Sequence, residues 1–360
     1  MSALILSTIL STLLLAISVS NFILLRRAKE TENIFKPSIA VLLPLRDEEQ
    51  NLADLISTTK AQSGIDQITF HLINDNSSDQ TYETAARLIA GDERFFLHQA
   101  PPLESGWLGK PAALHFGLIN SESDLVVIVD ADVRLTPDAL QRALAVMQNS
   151  DLDFISVYPK QIAKTWSEYL IQPLLQWSWM STVPLRIAEK SKRAALCVAN
   201  GQFFVVRRLA LGLVGDFSAV KSEVIDDISL ARALVRAGHH GTVIDGSDLA
   251  NCRMYSSWAQ LRDGYGKSLH LAFGGVLGAL VATIFLLTTG VLPVIALLFG
   301  SKIGLYCFFA VLISRLLSAI SSGGSKWASL LHPVSIGLLL FLILRSWSHR
   351  KNAHWKGRPV

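Results

Sequence analysis

The chain has 360 residues, half of them hydrophobic, with a formal net charge of +4 and a mean hydropathy of +0.37. Cys197, Cys252 and Cys307 have no paired spacing, which argues against a disulfide framework or a zinc cluster. The basic residues cluster beside apolar runs, the pattern of a membrane face and not of a nucleic-acid footprint, so no nucleic-acid partner is expected.

Residues 3–25 carry no charge and are about as long as a spanning helix, which needs ~20 apolar residues. They lack a basic leading region and a small-x-small cleavage site, so an anchor (residues 1–27) is expected rather than a cleaved signal peptide. Arg26, Arg27 and Lys29 follow directly and predict that the next domain faces the cytoplasm. Residues 36–267 mix charged and apolar residues as one globular domain does.

Within that domain, residues 38–45 form a continuous apolar run, as in a buried parallel strand. It ends in Arg46-Asp47-Glu48-Glu49, before a helical pattern with Leu52, Leu55 and Ile56. A second strand, 68–73, runs into Asn74-Asp75-Asn76-Ser77-Ser78-Asp79, with Asp79 placed to cap the next helix. A third, 125–129, ends at Asp130-Ala131-Asp132, and Thr136-Pro137 opens a helix. Strand, polar loop and helix three times over predict an α/β domain with a mostly parallel sheet. Ligands bind such sheets beyond the carboxyl ends of the strands, where these acidic loops fall. No Gly-x-Gly-x-x-Gly or Walker pattern is present. Clustered carboxylates repel unless a cation or donor-rich ligand compensates them. Oxygen-only ligands at this spacing suit Mg²⁺ or Mn²⁺ bridging one or two carboxylates to a diphosphate.

Farther along, residues 162–187 hold Trp166, Trp177 and Trp179 among apolar residues, interrupted by Pro173 and Pro184. That composition predicts a segment at the head-group level of a bilayer. Apolar blocks return at 271–287, at 291–313 after a Gly290/Pro293 break, and at 330–344, within a membrane region 269–347. Three crossings would put the basic tail, 348–360, on the far side, so one block is expected to be re-entrant or interfacial and the count stays open.

The motifs, in this order, resemble family-2 glycosyltransferases, which use the GT-A nucleotide-diphospho-sugar fold. The likeness covers about residues 39–274. It implies that Pro44, Arg46 and Glu48 line the nucleoside pocket, and that Asp75 recognises the base. Here Asn74 stands where the family's loop has its first Asp. It assigns Asp130 and Ala131 to the donor and Asp132 to the metal. Gly106-Trp107-Leu108-Gly109-Lys110 resembles the Gly-Trp-x-Gly-Lys segment of relatives acting on isoprenoid lipids such as hopanoids and carotenoids, and brings Lys110 to the diphosphate. Asp226-Asp227 resembles the Glu-Asp base motif, with Asp227 as base, and Gly201 and Gln202 with Asp226 fall on the acceptor side. The Gln-x-x-Arg-Trp of processive members is replaced by Gln260-Leu261-Arg262-Asp263-Gly264, whereas Arg253-Met254-Tyr255 and Gly264-Tyr265-Gly266-Lys267 match the isoprenoid-lipid group.

What the resemblance implies is an inverting, metal-dependent glycosyltransferase moving a sugar from a UDP-sugar to a lipid hydroxyl. The membrane and a lipid acceptor are the expected partners. A polyprenyl-phosphate glycosyltransferase or polysaccharide synthase of the same fold stands as the alternative, and a silent nucleotide-sugar binder is a further one.

Overall fold

The computed structural model describes residues 2–350, with the backbone of 354–355 and 358–359. Of the basic tail, Lys351 and Lys356 lie outside the described residues. The chain divides into two compact units. An α/β unit comprises Arg26–Lys160 and Ile187–Cys252, and a helical unit comprises Met1–Leu25, Gln161–Arg186 and Arg253–Val360. The expected single domain over 36–267 therefore lends residues 161–186 and 253–267 to the helical unit.

Eight strands build one sheet: β1 (Ile39–Leu45), β2 (Ile68–Asn74), β3 (Phe95–Gln99), β4 (Leu125–Val129), β5 (Val133–Leu135), β6 (Phe154–Gln161), β7 (Phe203–Arg207) and β8 (Gly241–Cys252). Their order is β3-β2-β1-β4-β7-β6-β8-β5. The β3-β2-β1-β4 half is parallel, and β7 turns antiparallel against both β4 and β6. All five residues of β4 are buried, as are all of β1 except Pro44, which explains why these strands read as unbroken apolar runs. One face packs Leu42, Val126, Phe204 and Val206 under the helices Gly109–Ile119 and Asp226–Arg236, through Leu114, Leu230 and Leu234. The two helices that begin in the Gly-Trp and Asp-Asp motifs are thus seated on one shared core.

Local readings differ in a few places. Asp79 does not cap the helix Thr81–Ile89, which follows Gln80. Its carboxylate instead accepts from Thr81 N at 3.0 Å and from Glu49 N at 3.2 Å, tying the loop after β2 to the loop after β1. Arg26 and Arg27 do not simply flank an anchor: Arg26 makes a two-pronged ion pair with Glu189 (2.8 and 2.6 Å), and Arg27 reaches Asp245 at 3.3 Å.

Among the described residues of the helical unit, four helices are long and apolar enough to cross a membrane: Ser2–Leu24, Val276–Leu298, Lys302–Ser321 and Trp327–Ser348. The break expected at Gly290/Pro293 is absent, because a π turn over Leu287–Val291 absorbs it and leaves Pro293 in the first turn of the continuing helix, where no N–H is required. The chain breaks at Gly300, whose φ of 77° suits a glycine terminator. Pro173 likewise does not interrupt the helix Trp166–Thr182. Trp177 and Trp179 are buried rather than exposed at an interface, and of these three tryptophans Trp166, at 58 %, stands out in the open. Packing explains the difference: the Trp177 indole N–H donates to Ser314 Oγ at 2.7 Å.

Phe204 is fully buried and stacks on Phe154 at 5.6 Å between centroids. Phe204→Ala is expected to destabilise the α/β unit by about 3–5 kcal/mol, read as a lower denaturation midpoint.

Candidate active site

The carboxyl end of β4 turns sharply through Asp130-Ala131-Asp132, with Val133 N donating to Asp130 O at 3.1 Å. Two anchors fix this turn. Asp130 N donates to Gln202 O at 3.0 Å, just ahead of β7, and Arg134 Nη1 donates to Ala131 O at 2.7 Å. Asp130 then offers Oδ1 to Lys110 Nζ at 2.7 Å, both groups half-buried. Lys110 is the second residue of the helix Gly109–Ile119, whose start is held by Leu108 N donating to Lys221 O at 2.7 Å.

Asp226 and Asp227 open the helix Asp226–Arg236, where the helix dipole favours negative charge. Asp227 is pinned by two backbone donors, Gly201 N to Oδ2 at 2.6 Å and Ile228 N to Oδ1 at 2.7 Å. A Cβ on Gly201 would stand 2.9 Å from Asp227 Cβ and 3.3 Å from Lys110 Nζ, so a glycine is needed for the two side chains to approach this peptide. Lys110, Gly201, Phe204, Asp226 and Asp227 line one pocket. Burial pushes both aspartates above the usual carboxylate range, Asp226 to about 6, while the Lys110 ammonium pulls them back. The reciprocal effect is stronger: despite burial, the surrounding charge of Asp130, Asp226 and Asp227 raises the Lys110 ammonium above its ordinary value, so it stays charged.

On the neighbouring strands, Arg46 Nη1 donates to Asp75 O at 2.7 Å and lies 4.0 Å from Asp75 Oδ2. Asp47 and Asn76 both adopt φ near 50°, unusual for residues with side chains and common where loops are shaped around ligands. Asp47 Oδ1 accepts from Ser78 N at 2.6 Å, so the two loops are clasped together. Pro44 is the one partly exposed residue of β1. Glu48 accepts from Asn51 Nδ2 at 2.7 Å, and its charge acts on Asp132. Asp75 is buried but is not among the residues lining the Lys110 pocket.

Asp132 is the residue that the family resemblance assigns to a divalent cation. Its Oδ1 is buried without a hydrogen-bond partner among the described residues, and burial with the Asp130 charge pushes its carboxyl to about 6. A lone-pair-rich oxygen held dry beside a second carboxylate fits a divalent cation that takes one or two protein carboxylates and completes its shell on phosphate and water. Among the described residues no cluster of three or more His, Cys, Asp or Glu side chains is grouped to hold a metal without such a ligand.

Several positioning residues escape a reading of motifs. Arg134 and Cys252 carry no motif of their own, while Asn200 belongs to the Asn200-Gly201-Gln202-Phe203 segment that the family resemblance places at the floor of the acceptor site. Cys252, on β8, accepts from Gln202 Nε2 at 2.9 Å; Asn200 Oδ1 accepts from Gln202 N at 2.8 Å. Gln202, expected on the acceptor side, is buried, and its peptide supports Asp130. Only an arginine two residues past an Asp-x-Asp turn gave any hint in the sequence.

Residues 40–213 match the model of the family described as Glycosyl transferase family 2. A 4,4'-diaponeurosporenoate glycosyltransferase of Staphylococcus haemolyticus is 26% identical over 251 residues, covering 68% of this chain and 64% of the relative. A beta-monoglucosyldiacylglycerol synthase of Trichormus variabilis is 26% identical over 202 residues, 54% of this chain and 40% of the relative. The chain thus spans less than two thirds of the length of these relatives. Among solved structures, a mannosyltransferase from Pyrobaculum calidifontis, in complex with GDP-Man and Mn²⁺, superposes with a TM-score of 0.58 at 15% identity over 97% of this chain and 98% of that one. That likeness establishes the GT-A fold.

Gly201→Ala is expected to cost about 1–3 kcal/mol through overpacking against Asp227 and Lys110. Gly212, in a helix with nothing within 4 Å of an added Cβ, provides the contrast: Gly212→Ala is expected to stabilise by about 0.5–1 kcal/mol. Denaturation midpoints moving in opposite directions check both.

Proposed function

We propose that the chain, whose residues 40–213 match the model of Glycosyl transferase family 2, moves a sugar from a nucleoside diphospho-sugar to the hydroxyl of a membrane lipid, with inversion. The observation that carries this reading is the Lys110 ammonium held 2.7 Å from Asp130 in the pocket it shares with Asp226 and Asp227. A fixed cation and a fixed base sit at one place, as a displacement at the anomeric carbon requires.

In the proposed step the acceptor oxygen forms the new bond to the anomeric carbon and passes its proton to an Asp227 oxygen. The bond from that carbon to the diphosphate oxygen breaks, and the leaving group departs with the electron pair. Each Asp227 oxygen accepts one backbone N–H and keeps a lone pair for the proton, so the carboxylate is oriented without being saturated. Lys110 exchanges part of its interaction with Asp130 for the charge that develops on the leaving diphosphate. Asp132 and Asp130 would hold a divalent cation, Mg²⁺ or Mn²⁺, which when bound neutralises diphosphate charge. Pro44, Arg46, Glu48 and Asp75 would frame the nucleoside, with uridine as the base we favour. Gly201 and Asp226 would border the acceptor.

The relatives named for diaponeurosporenoate and for monoglucosyldiacylglycerol, and the mannosyltransferase solved with GDP-Man and Mn²⁺, support a lipid-related acceptor and a metal-bound nucleotide sugar. Four helices suited to crossing a bilayer support a multi-pass protein, and the basic residues after the first of them support a cytoplasmic α/β unit.

Asp227→Asn is expected to lower kcat by ~10²–10⁴-fold while nucleotide-sugar binding persists; near-normal turnover, or loss of binding in place of turnover, would overturn the assignment. In the pH profile, the base works only when ionised and its carboxyl is raised by burial. Activity should therefore rise with pH through a limb lying above the ordinary carboxylate range. Lys110→Ala removes the charge favouring ionisation and should move that limb to still higher pH. Initial-rate pH profiles of both proteins check the sign.

A further inference from the structure

The helical unit holds only two aspartate or glutamate side chains, Glu168 and Asp263, and both are engaged. Glu168 Oε1 lies 3.3 Å from Arg253 Nη2, and Asp263 Oδ1 lies 2.9 Å from Arg262 Nε and 3.2 Å from Arg345 Nη2. Neither serves Arg315, which sits in the apolar helix Lys302–Ser321 with 2 % of its surface exposed. Its Nε and Nη2 atoms are buried with no hydrogen-bond partner among the described residues. These two nitrogens are adjacent and form the side-on fork that matches a pair of phosphate oxygens.

The surroundings are built around one indole. The Arg315 guanidinium lies 5.7 Å from the Trp177 ring centroid, and the His332 ring meets the same indole edge-on at 4.9 Å. Trp177 is itself fixed through Ser314, which bonds Ser18 at 2.8 Å. His332 is 4 % exposed with both ring nitrogens unpartnered, and Ser335 Oγ, one turn along the same helix, is buried and unpartnered too. An indole face offsets only a fraction of the cost of holding an arginine charge out of water, so the fork calls for an anion. Arg315 precedes the end of its helix, Ser321, by six residues or ~9 Å, within the depth of the head-group and acyl boundary. The exposed Lys326 and Trp327 that follow are residue types of that boundary.

We propose that Arg315, with His332 and Ser335, binds the phosphate head group of an anionic membrane lipid. The site is independent of the transfer reaction proposed above, and its test does not read sugar transfer. The full-length protein is placed in phosphatidylcholine nanodiscs with and without phosphatidylglycerol, and melting temperature and retained lipid (native mass spectrometry) are measured. Wild type is expected to melt higher and retain phosphatidylglycerol when it is present. Arg315→Met should lose that increment and retain about tenfold less of it. In phosphatidylcholine alone the variant should be at least as stable as wild type, because an unpaired charge has been removed. His332→Phe, which keeps the edge-on ring contact with Trp177, should lose part of the increment. The proposal falls if wild type does not distinguish the two lipid compositions, which needs no variant to decide. It also falls if Arg315→Met is equally destabilised in both compositions, the mark of a purely structural arginine. Inorganic phosphate in phosphatidylcholine nanodiscs reproducing the full shift would overturn it in favour of a soluble anion.

Discussion

One ammonium group organises the α/β unit's acidic centre. Asp130 ends a strand, Asp226 and Asp227 start a helix, and carboxylates gathered from separate segments repel one another in a poorly solvated place. Lys110 is the charge that lets them coexist, at 2.7 Å from Asp130 and inside the pocket lined by the other two. Each side gains: the lysine is held protonated, and the aspartates are kept from rising further than burial alone would push them. A centre balanced in this way is poised rather than neutralised, because any arriving anion would compete for the same ammonium.

Backbone groups do much of the positioning. The Gly201 N–H holds Asp227, the Gln202 carbonyl holds Asp130, and the Lys221 carbonyl holds the turn before Lys110. Because β7 pairs with β4 in antiparallel register, Phe203 opposite Val129, the residues ahead of β7 arrive beside the end of β4. Sheet topology thus places the glycine peptide between lysine and aspartate, and the missing Cβ makes room for both.

How much of this could be read beforehand depends on range. The strands appeared at nearly their full extent because burial on both faces leaves an apolar run, as in β4, where every residue is buried. The acidic loops appeared because they interrupt those runs. The joining of Lys110 to Asp130 could be expected only through a family resemblance, since twenty residues separate them and no period links them. Arg134 and Cys252 are not legible in the sequence because support for a turn needs only a donor or acceptor at the right place, and many residue types provide one. Prolines are poor markers here: Pro173 and Pro293 suggest breaks, yet packing and a π turn accommodate them within helices. The tryptophans are poor markers as well, since Trp177 could be placed inside the bundle only by knowing that Ser314 receives its N–H.

The α/β unit is discontinuous in sequence, Arg26–Lys160 and Ile187–Cys252, with the apolar helix Trp166–Thr182 lying between the halves. The central pairing of β4 with β7 therefore joins stretches synthesised on either side of a segment that packs elsewhere. During translation the parallel half of the sheet must wait, with one edge unpaired, until β7 emerges. Trimming the ends of the chain cannot yield a soluble sheet, since the intervening helix would be carried along with its apolar surface uncovered. Excising that excursion and joining its flanks by a short polar linker is the route to one.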